Sequence, residues 1–392
     1  MSQAEVIYRL LMDSAIIILS VILTLFVVEI IFRKYYNNKH GRNYHVSIKF
    51  PWTESHVIPH PFLSLSYRRN SYIDRNQRLP YPIHTNKYYS FKQPLRINNL
   101  GHFGKDFSVN KPDGTLRIAC LGHSSTANNI ADESRDYSYP EFIESYLKKE
   151  LSRYKPTKNV EVYNCGIGGW ISIDIMIDFL LNIIHTKPDY IILYYGYNDL
   201  YFQLNDNFEL DYSHNRKNLG EVMRVIRRGY YFPKIKFWHS YECLKDKLFG
   251  SGNVRNEVLR HINISKPKAD RDFSNLEVEM NILRNILIVC KYYDIKIILS
   301  SFVYYDHEKT PMTKKFSEGV KLENELLRSL AEEFNAVFVD AAELIPLNDE
   351  LFVDCVHFTP KGMELIAKCF AEAVISDLDT KNKYKDEILL HR

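Results

Sequence analysis

The sequence predicts an α/β fold: a three-layer α/β/α sandwich with a parallel sheet of about five strands, preceded by one transmembrane helix. Beyond residue 116, short apolar runs alternate with longer stretches of helical periodicity. The apolar runs are continuous, as in strands covered on both faces, and this argues for a parallel sheet. Near the N-terminus, a further apolar stretch is long enough to cross a bilayer.

Composition sets the outer bounds. A chain of 392 residues holds one large domain with additions, or two modest ones. Apolar residues make up 45% and charged residues 25%, an ordinary globular balance that supports a sizeable core. A net charge of +3, without a sustained Lys/Arg run or zinc-ligand spacing, gives no basis for nucleic-acid binding. The six cysteines are scattered, with no C-x-x-C pair, and read as buried thiols rather than a disulfide framework; a single bridge stays open.

The first element is the apolar stretch AIIILSVILTLFVVEIIF, Ala15 to Phe32, interrupted by Ser20, Thr24 and Glu29. Extension back through Leu10, Leu11 and Met12 supplies the roughly 20 residues that a spanning helix needs. The expected span is thus residues 12–32, within an anchor covering 1–42. A cleaved signal peptide is the rival reading, but no A-x-A-like site follows and the stretch exceeds the usual apolar region of such peptides. Glu29 lies one turn before Arg33 and can pair with it. Arg9 precedes the span, whereas Arg33, Lys34, Lys39 and Arg42 follow it, a bias that places the C-terminal part in the cytoplasm.

Residues 43–115 are rich in Tyr, Pro, Asn and His and read as a strand-and-turn lead-in. The α/β domain then spans 116–378, with a polar tail at 379–392. LRIACLG (116–122) is its first strand, and residues 138–154 form an amphipathic helix. VEVYNCG (160–166) is a strand, 171–186 a helix and PDYIILYYG (188–196) a third strand. After an insertion at 200–275 come a helix (276–293), a strand (295–302), a helix (321–334) and a strand (336–341). Thr359 and Pro360 suit the N-cap and first position of a final helix.

In such a sheet, ligands bind beyond the carboxyl ends of the strands. Those ends read Gly122-His123-Ser124, Asn164 to Gly169, and Gly196-Tyr197-Asn198-Asp199, while Asp354-Cys355-Val356-His357 precedes the last helix. Together they contain the parts of an acyl-transfer site. A serine hydroxyl is a poor nucleophile until an imidazole takes its proton, and the imidazole works best when a carboxylate fixes its tautomer. Ser124 is the candidate nucleophile, His357 the base and Asp354 the orienting carboxylate. The N–H groups of Ser124 and Gly169, with the Asn198 amide, are candidate oxyanion donors. Taken singly, each element has an ordinary structural alternative. Gly-x-Ser after a strand is often a tight turn, Asn-Asp is commonly turn chemistry, and a His near a helix start is commonly a surface or core residue.

In this order the blocks LGHSST (121–126), NCGIGGW (164–170), YGYND (195–199) and DCVH (354–357) resemble those of the SGNH hydrolases, also called GDSL esterases. The likeness covers residues 116–375, and the lead-in resembles that of a bacterial membrane-anchored branch. The resemblance implies a flavodoxin-like sandwich and a serine esterase with a catalytic triad and oxyanion hole, needing no cofactor and no metal. Two positions depart from the family pattern. His123 stands where the family usually has Asp, which implies a changed local hydrogen bond, and Asn128 stands where it usually has Gly.

Family members cleave carboxylic esters and thioesters, so the expected partner is an acylated glycan or a lipid. Within residues 216–272 there are fourteen Lys/Arg against six Asp/Glu, interleaved with aromatics as in VIRRGYYFPKIKFWHSY. Such a segment suits an anionic head group or an acidic glycan, or is a solvated basic face. Three functions follow: a membrane-tethered esterase acting on acetyl or short acyl groups, an O-acyltransferase using the same site, or a non-catalytic glycan-binding module. The resemblance suggests an extracytoplasmic domain, whereas the flanking charges suggest a cytoplasmic one.

Overall fold

A computed structural model describes residues 3–40, 57–58, 60–73, 79–80, 88–89, 95–108, 110–127, 130–131, 136–154, 159–206, 208–213 and 267–390. They fall into two units, the N-terminal helix in one and everything from residue 57 in the other. The helix, α1, runs from Gln3 to His40. Its stretch Glu5–Ile31 is long and apolar enough to cross a membrane, a test that a signal sequence also passes. Residues 214–266 of the basic insertion, and Asn128, lie outside the described residues.

The second unit is built on a parallel sheet. Its strands are β1 (Leu116–Gly122), β2 (Val160–Gly166), β3 (Tyr190–Tyr194), β4 (Lys296–Ser300) and β5 (Val337–Val339). They lie in the order β2-β1-β3-β4-β5, and every neighbouring pair is parallel. This is the flavodoxin-like sandwich that the sequence predicts. The strand order reverses beside β1, and in open sheets of this kind ligands bind at the carboxyl ends beside that point.

Seven further helices are used below. They are α2 (Ser124–Ala127), α3 (Tyr139–Tyr154), α4 (Ser172–Asp178), α5 (Asn198–Gln203), α6 (Leu276–Tyr292), α7 (Pro311–Phe334) and α8 (Pro360–Leu390). The strands are apolar throughout because both faces are covered. Ile118 and Cys120 of β1 enter a core with Ile143 of α3 and Phe370 of α8, whereas Ala119 and Leu121 meet Ile175 of α4 and Leu283 of α6.

Local chemistry sets the helix starts. Thr310 accepts from the Thr313 N–H at 3.2 Å and Pro311 opens α7. Thr359 Oγ1 likewise accepts from the Gly362 N–H at 3.3 Å, ahead of Pro360, as its sequence suggests. The helix expected over 171–186 is interrupted instead. After Asp178 it widens to a π turn over Phe179–Ile183 and tightens to a 3₁₀ turn over Ile184–Thr186. Lys187 then turns left-handed, with φ 54°.

Of the lead-in, Val57–Ile58 pairs with Ser66–Tyr67 and Ser71–Ile73 with Leu95–Ile97, both antiparallel. Leu95, Ile97 and Phe103 pack with Ala127 of α2 in a small core. The lead-in therefore rests against the end of β1.

Candidate active site

The site begins where β1 stops. Gly122 ends the strand, His123 turns the chain and Ser124 opens the single turn of α2, while Ser125, Thr126 and Ala127 are buried beneath it. A side chain at Gly122 would lie 2.1 Å from Thr126 Oγ1, and one at Gly166 would lie 2.4 Å from the Ala127 nitrogen. Glycine at both strand ends is what lets α2 sit directly on the sheet, with Ser124 half-exposed on the rim.

The second block turns beside it. Ser124 Cβ lies 3.8 Å from where a side chain on Gly168 would begin, and Gly169 is exposed with φ +84°. The lead-in holds this turn from outside. The Trp170 indole N–H donates to the Leu65 carbonyl at 3.0 Å, and the Ser64 N–H and hydroxyl donate to Asp174 at 2.7 and 2.8 Å. The buried His102 Nε2 meets Asp178 at 2.9 Å.

The third block supplies Asn198, at the start of α5, whose Nδ2 donates to the Trp170 carbonyl at 2.7 Å. Its neighbour Asp199 is fully buried. It accepts the Ser172 N–H at 3.0 Å and hydroxyl at 2.6 Å, and the Tyr212 hydroxyl at 2.5 Å. Burial raises the Asp199 carboxyl, and these hydrogen bonds pull it back part of the way. Asp199 thereby ties the Asn198 block to the Gly169 block, a role that sequence reading did not find.

The fourth block is a tight loop pinned by two buried phenylalanines. Phe352 and Phe358 form an antiparallel bridge, and the Val353 N–H donates to the His357 carbonyl at 2.9 Å. Asp354 Oδ1 accepts the N–H groups of Val356 and His357 at 2.9 and 2.8 Å, while Oδ2 meets His357 Nδ1 at 2.7 Å. Burial would raise the Asp354 carboxyl, but the His357 ring and the two N–H groups outweigh it and hold it below its usual range. With Nδ1 held by Asp354, Nε2 is the nitrogen of His357 left to accept a proton. Burial pushes the neighbouring Cys355 thiol up to about 11, which makes it a poor rival nucleophile.

The Ser125 hydroxyl joins the first and fourth blocks by donating to the Val356 carbonyl at 2.9 Å. Ser124 and His357 are each one residue from that bond, although no hydrogen bond joins their own side chains among the described residues. His123 links the first and third blocks. Its Nδ1 accepts the Ser125 N–H at 3.3 Å, so the ring proton is on Nε2, which meets the Gly196 carbonyl. Burial lowers the ring to about 3 and keeps it neutral.

A model of the GDSL-like lipase/acylhydrolase family matches residues 120–365, more than half of the chain. The chain belongs to this family. As a GDSL-like acylhydrolase it is an enzyme of the SGNH type that hydrolyses esters, as its sequence blocks imply. Solved structures resemble it at low identity. An acetyl xylan esterase is 13% identical, covering 66% of this chain and 98% of its own, with a TM-score of 0.39. A GDSL-like lipase from Bacteroides thetaiotaomicron is 13% identical, covering 69% and 92%, with a TM-score of 0.39. The lipase/acylhydrolase from Enterococcus faecalis is 14% identical, covering 66% and 94%, with a TM-score of 0.40. No curated protein matches the chain.

Proposed function

We propose that the chain is a membrane-tethered serine esterase of the anchored branch of this family, removing acetyl or short acyl groups from a glycan. In this reading Nε2 of His357 takes the Ser124 proton as Oγ attacks the ester carbonyl, and Asp354 fixes the imidazole tautomer and stabilises the cation formed. The N–H groups of Ser124 and Gly169 and the Asn198 amide receive the oxyanion. His357 returns the proton to the leaving alcohol, and water then releases the acyl group from Ser124. The observation that carries this reading is the Asp354–His357 contact of 2.7 Å, on a loop tied to the nucleophile turn by the 2.9 Å bond from Ser125 to Val356.

A glycan substrate is supported by the basic, aromatic-rich insertion. Tethering is supported by Glu5–Ile31 and by the absence of a small-residue cleavage site after it. The anchor is then residues 1–42, the lead-in 43–115 and the catalytic domain 116–378.

The test is turnover of a chromogenic acetyl ester by the full chain in detergent, beside Ser124→Ala. Loss of turnover in the variant is expected. Equal turnover by the two proteins removes Ser124 as nucleophile. Acyl transfer that outpaces hydrolysis when an acetylated donor is mixed with a sugar acceptor would replace the esterase by an acyltransferase. Edman sequencing of the membrane fraction should begin within the first residues, and a start beyond Phe32 would show a cleaved leader.

A further inference from the structure

The backbone just before Asn198 is unusual. Tyr197 has φ 70° and ψ −51°, and the Asn198 N–H donates to the Gly196 carbonyl at 2.9 Å. Together they form a γ-turn with a positive central φ, a rare and strained form that persists only where its surroundings over-determine it. Some of the supports are already described: the Gly196 carbonyl takes the His123 ring N–H, and Asn198 Nδ2 reaches Trp170. The Tyr197 ring packs on Tyr304 and Phe316, with centroids 5.8 and 4.9 Å away. This leaves the Tyr197 N–H, which faces the carboxyl of Glu323 on α7.

Glu323 is fully buried, and so is Glu279 of α6, whose carboxyl it faces. Both sit within the apolar stripes of their helices, Glu279 among Leu276, Met280 and Leu283, and Glu323 among Phe316, Val320 and Leu327. Gln203 Nε2 and the Tyr195 hydroxyl donate to Glu279 Oε2 at 3.0 and 3.5 Å. With both acids ionised, Glu279 Oε1 and both Glu323 oxygens lack a hydrogen bond of ordinary geometry. Asp199, Tyr195 and Tyr212 also face the pair, and they add negative or neutral groups rather than a counter-charge. A proton between the two carboxyls resolves this, because it turns one orphaned acceptor into a donor for another. Burial and the Asp199 charge push both groups well above the usual carboxyl range, and the Glu323 charge raises Glu279 further.

We infer that Glu279 and Glu323 share one proton and act together as a positioning pair for the oxyanion turn, Glu323 attracting the Tyr197 N–H that faces it and so holding Asn198 in its donor orientation. The inference rests on Asn198 being an oxyanion donor. Neither acid touches substrate.

The test compares the full native chain in detergent with Asn198→Ala, Glu323→Gln, Glu323→Leu and the double variant Asn198→Ala/Glu323→Leu, using the chromogenic acetyl ester. Glu323→Gln keeps an acceptor for Tyr197 and a donor for Glu279, so it keeps most of kcat. Glu323→Leu loses about 10–10² in kcat with KM unchanged, because it acts through a single oxyanion donor. The double variant is no slower than Asn198→Ala, since both changes remove the same interaction. Native kcat declines at alkaline pH as the shared proton leaves, and Glu323→Gln lacks that decline. Multiplicative losses in the double variant overturn the inference. So does native kcat in a folded Glu323→Leu, or an alkaline limb retained in Glu323→Gln. The last measurement also decides the matter if Glu323→Leu does not fold. An unaltered kcat in Asn198→Ala removes the oxyanion reading itself, whereas a slow Asn198→Ala beside a fast Glu323→Leu removes only the positioning pair.

Discussion

Acidification should destabilise this fold through one buried imidazole. His123 is fully buried, with Nδ1 facing the Ser125 N–H and Nε2 committed to the Gly196 carbonyl, so a second ring proton would meet a donor. Burial is the main cause that lowers its pKa from 6.5 to about 3. A base whose folded pKa lies below its unfolded value binds protons more readily when unfolded. Stability is therefore lost as the pH falls through about 6.5, and the loss stops near the folded value. Between pH 7 and pH 5 the unfolded chain gains about 2 kcal/mol from this single site. The assay is urea unfolding of the full chain in detergent at both pH values, for the native protein and for His123→Asn. The quantity compared is the change in stability with pH, so a shift in absolute stability caused by the substitution cancels. The native protein should lose about 2 kcal/mol more than the variant over this interval. Equal losses would refute the assignment of His123 as a neutral, buried link.

Other substitutions probe separate parts of the account. Asp354→Asn should lower kcat by about 10³–10⁴ with little change in KM, because the imidazole loses its tautomer partner; steady-state kinetics will show it. The Asp354 carboxyl is held below its usual range despite burial, by His357 and two backbone N–H groups. Its contribution to stability is present above the unfolded value of about 3.9 and fades as the pH falls through the lower folded one. The stability gap between native protein and Asp354→Asn should accordingly narrow only below about pH 4, as acid-unfolding curves can record. Gly196→Ala should destabilise by more than about 1 kcal/mol in thermal unfolding, because the φ there is strained for an L side chain. The added Cβ would also lie 2.6 Å from Phe302 Cγ. Ser64→Ala removes the hydroxyl bond to Asp174 and should cost about 1 kcal/mol, measured by the same method.

Much of this fold is legible in the sequence because its strands carry apolar residues on both faces. Ile118 to Leu121 and Ile191 to Tyr194 read as buried runs, and the structure buries every one of them. The polar residues that end those runs mark the rim, and the structure brings Ser124, Gly169, Asn198, Asp354 and His357 onto four turns tied to one another by Ser125, Asp199 and His123. What the sequence hides is long-range pairing. Glu279 and Glu323 lie far apart in the chain, and each is only a carboxylate in an apolar stripe until the fold sets them side by side. That misplacement was itself a signal, since an acid at a core position must find a partner or a proton. The strained turn at Tyr197 carries no such mark, because nothing in Gly-Tyr-Asn distinguishes it from an ordinary turn. The π turn after Asp178 was also invisible, because its residues keep the apolar spacing of a regular helix.

The central claim is that Ser124 is the nucleophile activated by His357. Its most direct measurement is the reaction of the full chain in detergent with a fluorophosphonate, followed by peptide mass analysis of the adduct. The account predicts a single adduct on Ser124, absent from Ser124→Ala and formed far more slowly in His357→Ala. An adduct on another residue, or labelling that persists in Ser124→Ala, would contradict it.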